Sequence, residues 1–148
     1  MERILRNTLN GGQFTNVSSL RSRNMQKIRS KENRTTEGKL RMAMVRAKLK
    51  NWLVRPKNIF GNPDFLFKDE RLAIFVDGCF WHGCKTCYRK PSTNRNYWSM
   101  KIIRNRRRDK KVSCLLNYQD IRVLRIWEHE LHHDIDCCIE RISALLAK

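Results

Sequence analysis

Three cysteines within nine residues, Cys79, Cys84 and Cys87, separate the apolar run LAIFV at 72 to 76 from the basic stretch YRKP at 88 to 91. A loop this dense in thiols, with His82 among them, is held by cross-links or by a metal ion, and either choice fixes how the flanking segments meet. The spacing Cys84-x2-Cys87 with a third thiol nearby suits a tetrahedral zinc ion, which takes four nitrogen or sulfur ligands. One ligand is missing locally, and His82, His129, His132, His133, Cys137 and Cys138 could each supply it. We favour His129, because a link from the loop to RVLRIWEH would pin the chain after Asp77 against the core and turn Phe80, Trp81 and His82 outward. Burial as a small apolar side chain is the ordinary alternative for a free cysteine, and Cys114, alone in a helical pattern, is expected to follow it.

Metal is favoured over disulfides because nothing points to export. The first nineteen residues lack the continuous apolar region of a signal peptide, and no segment reaches the length of a transmembrane helix. A soluble, intracellular protein is therefore expected, in a reducing compartment. With 148 residues, the chain suits one domain, expected over residues 22–148 and preceded by a polar arm at 1–21 that orders on its partner. The net charge of +18, from 32 Lys+Arg against 14 Asp+Glu, is spread along the chain. It calls for a polyanionic partner, nucleic acid before membrane.

The coarse pattern is α/β. A helix is expected from Thr35 to about Trp52, with Leu40, Ala43, Met44, Ala47 and Trp52 on one face, Glu37 in its first turn, and Asn33, Thr35 or Thr36 as its cap. DFLF and LAIFV read as two strands joined by the charged turn KDER, so that Asp64 at the start of one and Asp77 at the end of the other lie side by side. A long helix follows, with Trp98, Ile102, Asn105, Asp109, Val112 and Leu116 inward. DIRVLRIWEH reads as a third strand, and a closing helix turns Ile135, Ile139, Ile142 and Leu146 inward.

Asp64 and Asp77, with Glu37 from the preceding helix, form a hard oxygen set suited to magnesium, which polarises a phosphodiester and activates water. The helix dipole offers Glu37 a plainer role. The order NPD, a gap, and an acid closing the next strand resembles restriction-type nucleases, in which a lysine stands two residues after the second acid. Here that position is Cys79, so His82 is the natural group to handle the proton. Asp109 could orient it as a buried carboxylate orients a catalytic imidazole, although Asn105 and Asp109 could equally be a satisfied polar pair between helix and sheet.

PDF at 63–65, IFVDGCFWHGC at 74–84, YW at 97–98, Asn105-x3-Asp109 and RVLRIWEH at 122–129, with SRNMQKI at 22–28, together resemble the very-short-patch repair (Vsr) DNA mismatch endonucleases. The resemblance runs in unbroken order over about residues 20–131. It implies a restriction-endonuclease-like (PD-(D/E)xK-type) three-layer core, a mixed central sheet flanked by helices, with structural zinc at Cys79, Cys84, Cys87 and His129. The implied activity is magnesium-dependent nicking of one strand of double-stranded DNA beside a T:G mismatch left by 5-methylcytosine deamination.

Carried over by position, Asp64 resembles the metal-binding carboxylate, Val76 the residue lending a backbone carbonyl to magnesium, His82 the catalytic histidine, Asp109 its partner and Glu37 the helix acid. Phe80, Trp81 and Trp98 match the aromatics that wedge into the base stack, where insertion is cheapest at weak pairing; composition alone would place them in the core. Met25 matches the arm that approaches the opposite groove. Arg104 and Arg107, with Arg106, Lys110 and Lys111, make a phosphate-contacting helix face. The best-known form ends its zinc set with cysteine where His129 stands, has one residue fewer between Cys84 and Cys87, and carries threonine and a catalytic histidine at Val76-Asp77. Asp77 is expected instead to add a carboxylate to the magnesium site.

The resemblance further implies a monomer in the bacterial cytoplasm, working on nucleoid DNA, with a functional link to a cytosine methyltransferase and mismatch repair factors. Two competitors are a restriction or homing-type endonuclease cutting matched sites, and a zinc-bearing DNA-binding module without chemistry. The acid set favours chemistry, because carboxylates beside DNA repel phosphate unless a cation lies between them.

Overall fold

A computed structural model describes residues 36–147. The expected arm at 1–21, the segment at 22–28 with Met25, and the cap candidates Asn33 and Thr35 lie outside the described residues. The elements are α1 (Glu37–Arg46), β1 (Trp52–Val54), β2 (Phe65–Phe67), β3 (Leu72–Asp77), α2 (Arg95–Tyr118), β4 (Arg122–Trp127), α3 (Glu128–His133) and α4 (Ile135–Leu146).

The strands form one mixed sheet in the order β1-β2-β3-β4. β2 and β3 pair antiparallel with Phe65 opposite Ile74, as the short turn between them requires. β4 lies parallel to β3 with Ile74 opposite Leu124, so the chain crosses back along the sheet, and α2 provides that crossover. Strand alternation then divides the core in two. Phe65, Phe67, Leu72, Ile74, Leu124 and Ile126 pack with Leu40 and Met44 of α1, Leu131 of α3, and Cys138 and Ile142 of α4. Leu66, Ala73 and Phe75 meet Val112 and Leu116 of α2. The result is three layers, helices on both faces of the sheet. Each of the fully buried large side chains, Phe67 or Ile74 for example, contributes about 1.5–3 kcal/mol.

Two expectations about element ends need correction. Trp52 does not continue the first helix; it opens β1. Lys48 at φ 57° occupies the left-handed position after α1, and the amides of Lys48 and Leu49 return to the carbonyls of Val45 and Met44 at 3.0 Å each. This is a Schellman ending with lysine where glycine is usual. Trp52 then packs edge-on against Phe65, centroids 5.6 Å apart. The third strand likewise ends earlier than expected, at Trp127. The Glu130 carboxylate accepts the Trp127 amide at 2.6 Å, a reach-back bond that starts α3 and places His129 in its first turn. Among the described residues no helix is long and apolar enough to cross a membrane.

Candidate active site and metal centre

The loop after β3 is tied down at several points. The Cys79 amide donates to Glu128 Oε2 at 3.1 Å, and the Cys84 amide to the Cys79 carbonyl at 2.9 Å. Asn105 of α2 donates its Nδ2 to the Trp81 carbonyl at 2.8 Å, so this inward polar residue serves the loop. Gly83 sits at φ +63°, and a Cβ there would stand 2.6 Å from Ile102 Cγ2. Only glycine lets the loop lie this close to α2.

The ligand atoms of Cys79, Cys84, Cys87 and His129 lie within 4.8 Å of one another, a group able to hold a metal ion. His129 Nδ1 is 3.3 Å from Cys79 Sγ and 3.6 Å from Cys84 Sγ. A sulfur and a nitrogen on one tetrahedral centre stand about 3.6 Å apart. The donors therefore fit a tetrahedral thiophilic ion. Burial pushes the Cys79 thiol up to about 12. Cys84, despite burial, is held below the usual thiol range by hydrogen bonds from the Cys87 and Thr86 amides. His82, His132, His133, Cys137 and Cys138, the other possible fourth ligands, are not in this cluster, and Cys114 is exposed, not buried as expected.

On the other side of the same loop, His82 Nδ1 lies 2.5 Å from Asp109 Oδ2 and 3.8 Å from Asp77 Oδ1. The His82–Asp109 pair expected from the sequence is thus formed, with the ring donating to the carboxylate. Burial works against ionised Asp109, but the hydrogen bond and charge of His82, then Arg125 and Arg108, hold it below the usual carboxylate range. Asp64 caps the end of the sheet, where its Oδ2 accepts the Val76 amide at 2.7 Å. Burial raises Asp64 from 3.8 to about 6; the Val76 amide opposes this, nearby Glu37 adds to it, Arg55 lowers it and Asp77 raises it. A carboxylate kept so reluctant to ionise gains most from a bound cation.

Glu37 reaches this group through Arg55, whose guanidinium pairs with Glu37 Oε2 and lies 4.0 Å from Asp64 Oδ1. Asp77, expected beside Asp64 on the cation, is 4% exposed, and both its oxygens accept from Arg125 Nη1, at 2.7 and 2.8 Å. Arg125 meets this carboxylate from β4. Arg55 and Arg125 went unnoticed in the sequence. Arg125 did leave a signal, since a charge inside a strand paired with buried β3 demands a partner. Arg55, in a turn at φ 45°, left none.

Phe80, Trp81 and Trp98 form one half-buried cluster, with centroids 5.1 to 5.7 Å apart, and Tyr88 and Tyr97 flank it. Lys101 Nζ lies over the Trp81 and Tyr97 rings at 5.8 and 5.9 Å. Arg104 and Arg107 are exposed on α2.

The family model described as DNA mismatch endonuclease Vsr matches residues 15–89. The chain is 42% identical over 114 residues to the Type II nicking enzyme V.NaeI of Lentzea aerocolonigenes, covering 74% of this chain and 68% of that protein. It is 33% identical over 110 residues to the DNA mismatch endonuclease Vsr of Escherichia coli K12, covering 73% and 69%. With the Type II nicking enzyme V.XorIIP of Xanthomonas oryzae the identity is 36% over 113 residues, covering 72% and 78%. These likenesses, spanning more than two thirds of the chain, show that it belongs to the Vsr DNA mismatch endonuclease family.

Proposed function

We propose that this endonuclease hydrolyses one strand of duplex DNA beside a T:G mismatch arising from 5-methylcytosine deamination, with magnesium as its catalytic cation. The observation that carries the reading is the double duty of the loop after β3: it sets His82 on Asp109 and, through Phe80 and Trp81, builds an aromatic cluster with Trp98. Mismatch opening and bond cleavage are thereby coupled in one rigid segment. Aromatic wedges cost a few kcal/mol per unstacked step, least where pairing is weak, which favours a T:G site over a matched one.

Asp64 and the Val76 carbonyl would hold magnesium, which would polarise the scissile phosphate and lower the pKa of water. His82, anchored through Nδ1, takes the proton of the attacking water at Nε2, and Asp109 stabilises the imidazolium that forms. Glu37 acts through Arg55 to fix the surroundings of Asp64. Cys79, Cys84, Cys87 and His129 would bind structural zinc, Arg104 and Arg107 would hold phosphates, and Met25 is assigned to the opposite groove by the resemblance alone. The fold is the PD-(D/E)xK type. The protein works as a monomer on bacterial cytoplasmic DNA, downstream of a cytosine-5 methyltransferase and alongside mismatch repair factors.

Asp64→Ala separates chemistry from binding. The variant should keep its affinity for mismatched duplex and stop nicking it. A protein that nicks normally without Asp64 would sink the metal assignment, and a wild-type protein that binds but never nicks would be a DNA-binding module.

A further inference from the structure

Arg125 reaches both carboxylates that flank His82. Its Nη1 donates to the two oxygens of Asp77 at 2.7 and 2.8 Å, while Nη2 lies 3.5 Å from Asp109 Oδ1 and 3.4 Å from the Asp109 carbonyl. Its Nε approaches Ser113 Oγ at 3.4 Å, and its guanidinium lies over the Phe75 ring at 4.7 Å. β3 and β4 bring these groups together by register: Arg125 is paired with Phe75, two residues before Asp77 on the same sheet face. α2 supplies Asp109 and Ser113 one turn apart. The imidazole of His82 lies against both acids, 2.5 Å from one and 3.8 Å from the other.

A buried ion pair is a poor source of stability, because well-packed apolar residues of similar volume often do as well or better. Asp77 and Arg125 between β3, β4 and α2 therefore call for an explanation other than packing. A planar fork fixes two acceptors at set distances and angles, as an ammonium cannot.

We infer that Arg125 is a positioning residue for His82: its guanidinium clamps Asp77 and Asp109 on two sides of the imidazole and so sets the direction in which Nε2 points. Asp77 is part of this clamp and does not bind the cation. The inference rests on the reading of His82 as proton acceptor, so its test uses one readout that needs the reaction and one that does not.

The full chain with its metal content verified is compared with Arg125→Lys and Arg125→Met, each alone and combined with His82→Ala. Arg125→Lys keeps the charge and guards against failure of Arg125→Met to fold. In single-turnover nicking of a T:G duplex with magnesium, Arg125→Lys should be slower by about 10- to 100-fold, with DNA affinity unchanged. It should cause no further loss once His82 is alanine. Independently, the free protein should show a low-field imidazole proton resonance that disappears in His82→Ala and is lost or exchanges rapidly in both Arg125 variants. Equal slowing by Arg125→Lys with and without His82, or an unchanged resonance in a folded Arg125 variant, would overturn the inference. Full nicking by His82→Ala with a resonance that still depends on Arg125 would instead remove the catalytic role of His82 and leave the clamp standing.

Discussion

Replacing Asp64 by asparagine should stabilise the magnesium-free protein, and do so more strongly as pH rises. Asp64 carries a proton affinity raised from 3.8 to about 6, chiefly by burial. The folded state therefore binds this proton more tightly than the unfolded chain does. Its favourable contribution is complete below pH 3.8 and is lost as pH rises through about 6, so the ionised carboxylate costs stability at neutral pH. At about 1.4 kcal/mol per pH unit, the interval from 3.8 to about 6 sets an upper bound of about 3 kcal/mol. The side chain is 18% exposed, and asparagine gives up the charge that faces Arg55. These reduce the expected gain to about 1–2 kcal/mol at pH 8, roughly half of it developing between pH 5 and pH 8. Urea unfolding of both proteins across that range, in magnesium-free buffer without a chelator so that no metal is stripped from the cysteines, measures the difference directly. Magnesium should then stabilise the wild type and leave Asp64→Asn unmoved. A variant less stable than the wild type, or a gap that does not change with pH, would refute burial as the dominant influence on this carboxylate.

Three other substitutions test the supporting structure. Gly83→Ala, strained at φ +63° and meeting Ile102, should cost about 2–4 kcal/mol and lower the melting temperature. For the proposed zinc site, His129→Ala should reduce bound zinc below one per chain by elemental analysis and lower the thermal stability, as the free energy of binding a structural metal adds to that of folding; full zinc occupancy without His129 would contradict the ligand set. Phe80→Ala and Trp81→Ala should each weaken binding to a T:G duplex by about 1–3 kcal/mol, more than to a matched duplex, as fluorescence anisotropy would report.

Much of this was legible because the physical rules involved are local. The turn KDER between two apolar runs specified the β2–β3 hairpin, and the 3.6 period of α2 placed Asp109 on the inner face where His82 meets it. Donor chemistry narrowed the metal cluster to a few fourth ligands, but only the crossover of β4 beside β3 brings His129 to the thiols. The end of α1 was hidden because Lys48 adopts a conformation glycine usually marks, and Trp52 happens to continue the helical spacing. The Asp77–Arg125 pair is legible only from strand parity. Counting along β3 puts Asp77 on the face of Ala73 and Phe75, towards α2, and Arg125 of β4 follows the same alternation. Arg55 joins Glu37 to Asp64 across three separate segments, and no periodicity foretells such a contact.

Strand nicking directed by a mismatch can be read in a single assay. The direct measurement is cleavage of two end-labelled duplexes, identical except for one T:G or T:A pair within a cytosine methyltransferase site, by the purified chain with magnesium. A single cut in the T-bearing strand beside the mismatch, with the T:A duplex left intact, is the result the account predicts. Equal cutting of both duplexes would contradict it, and would make this site a restriction-type or homing-type endonuclease built on the same fold.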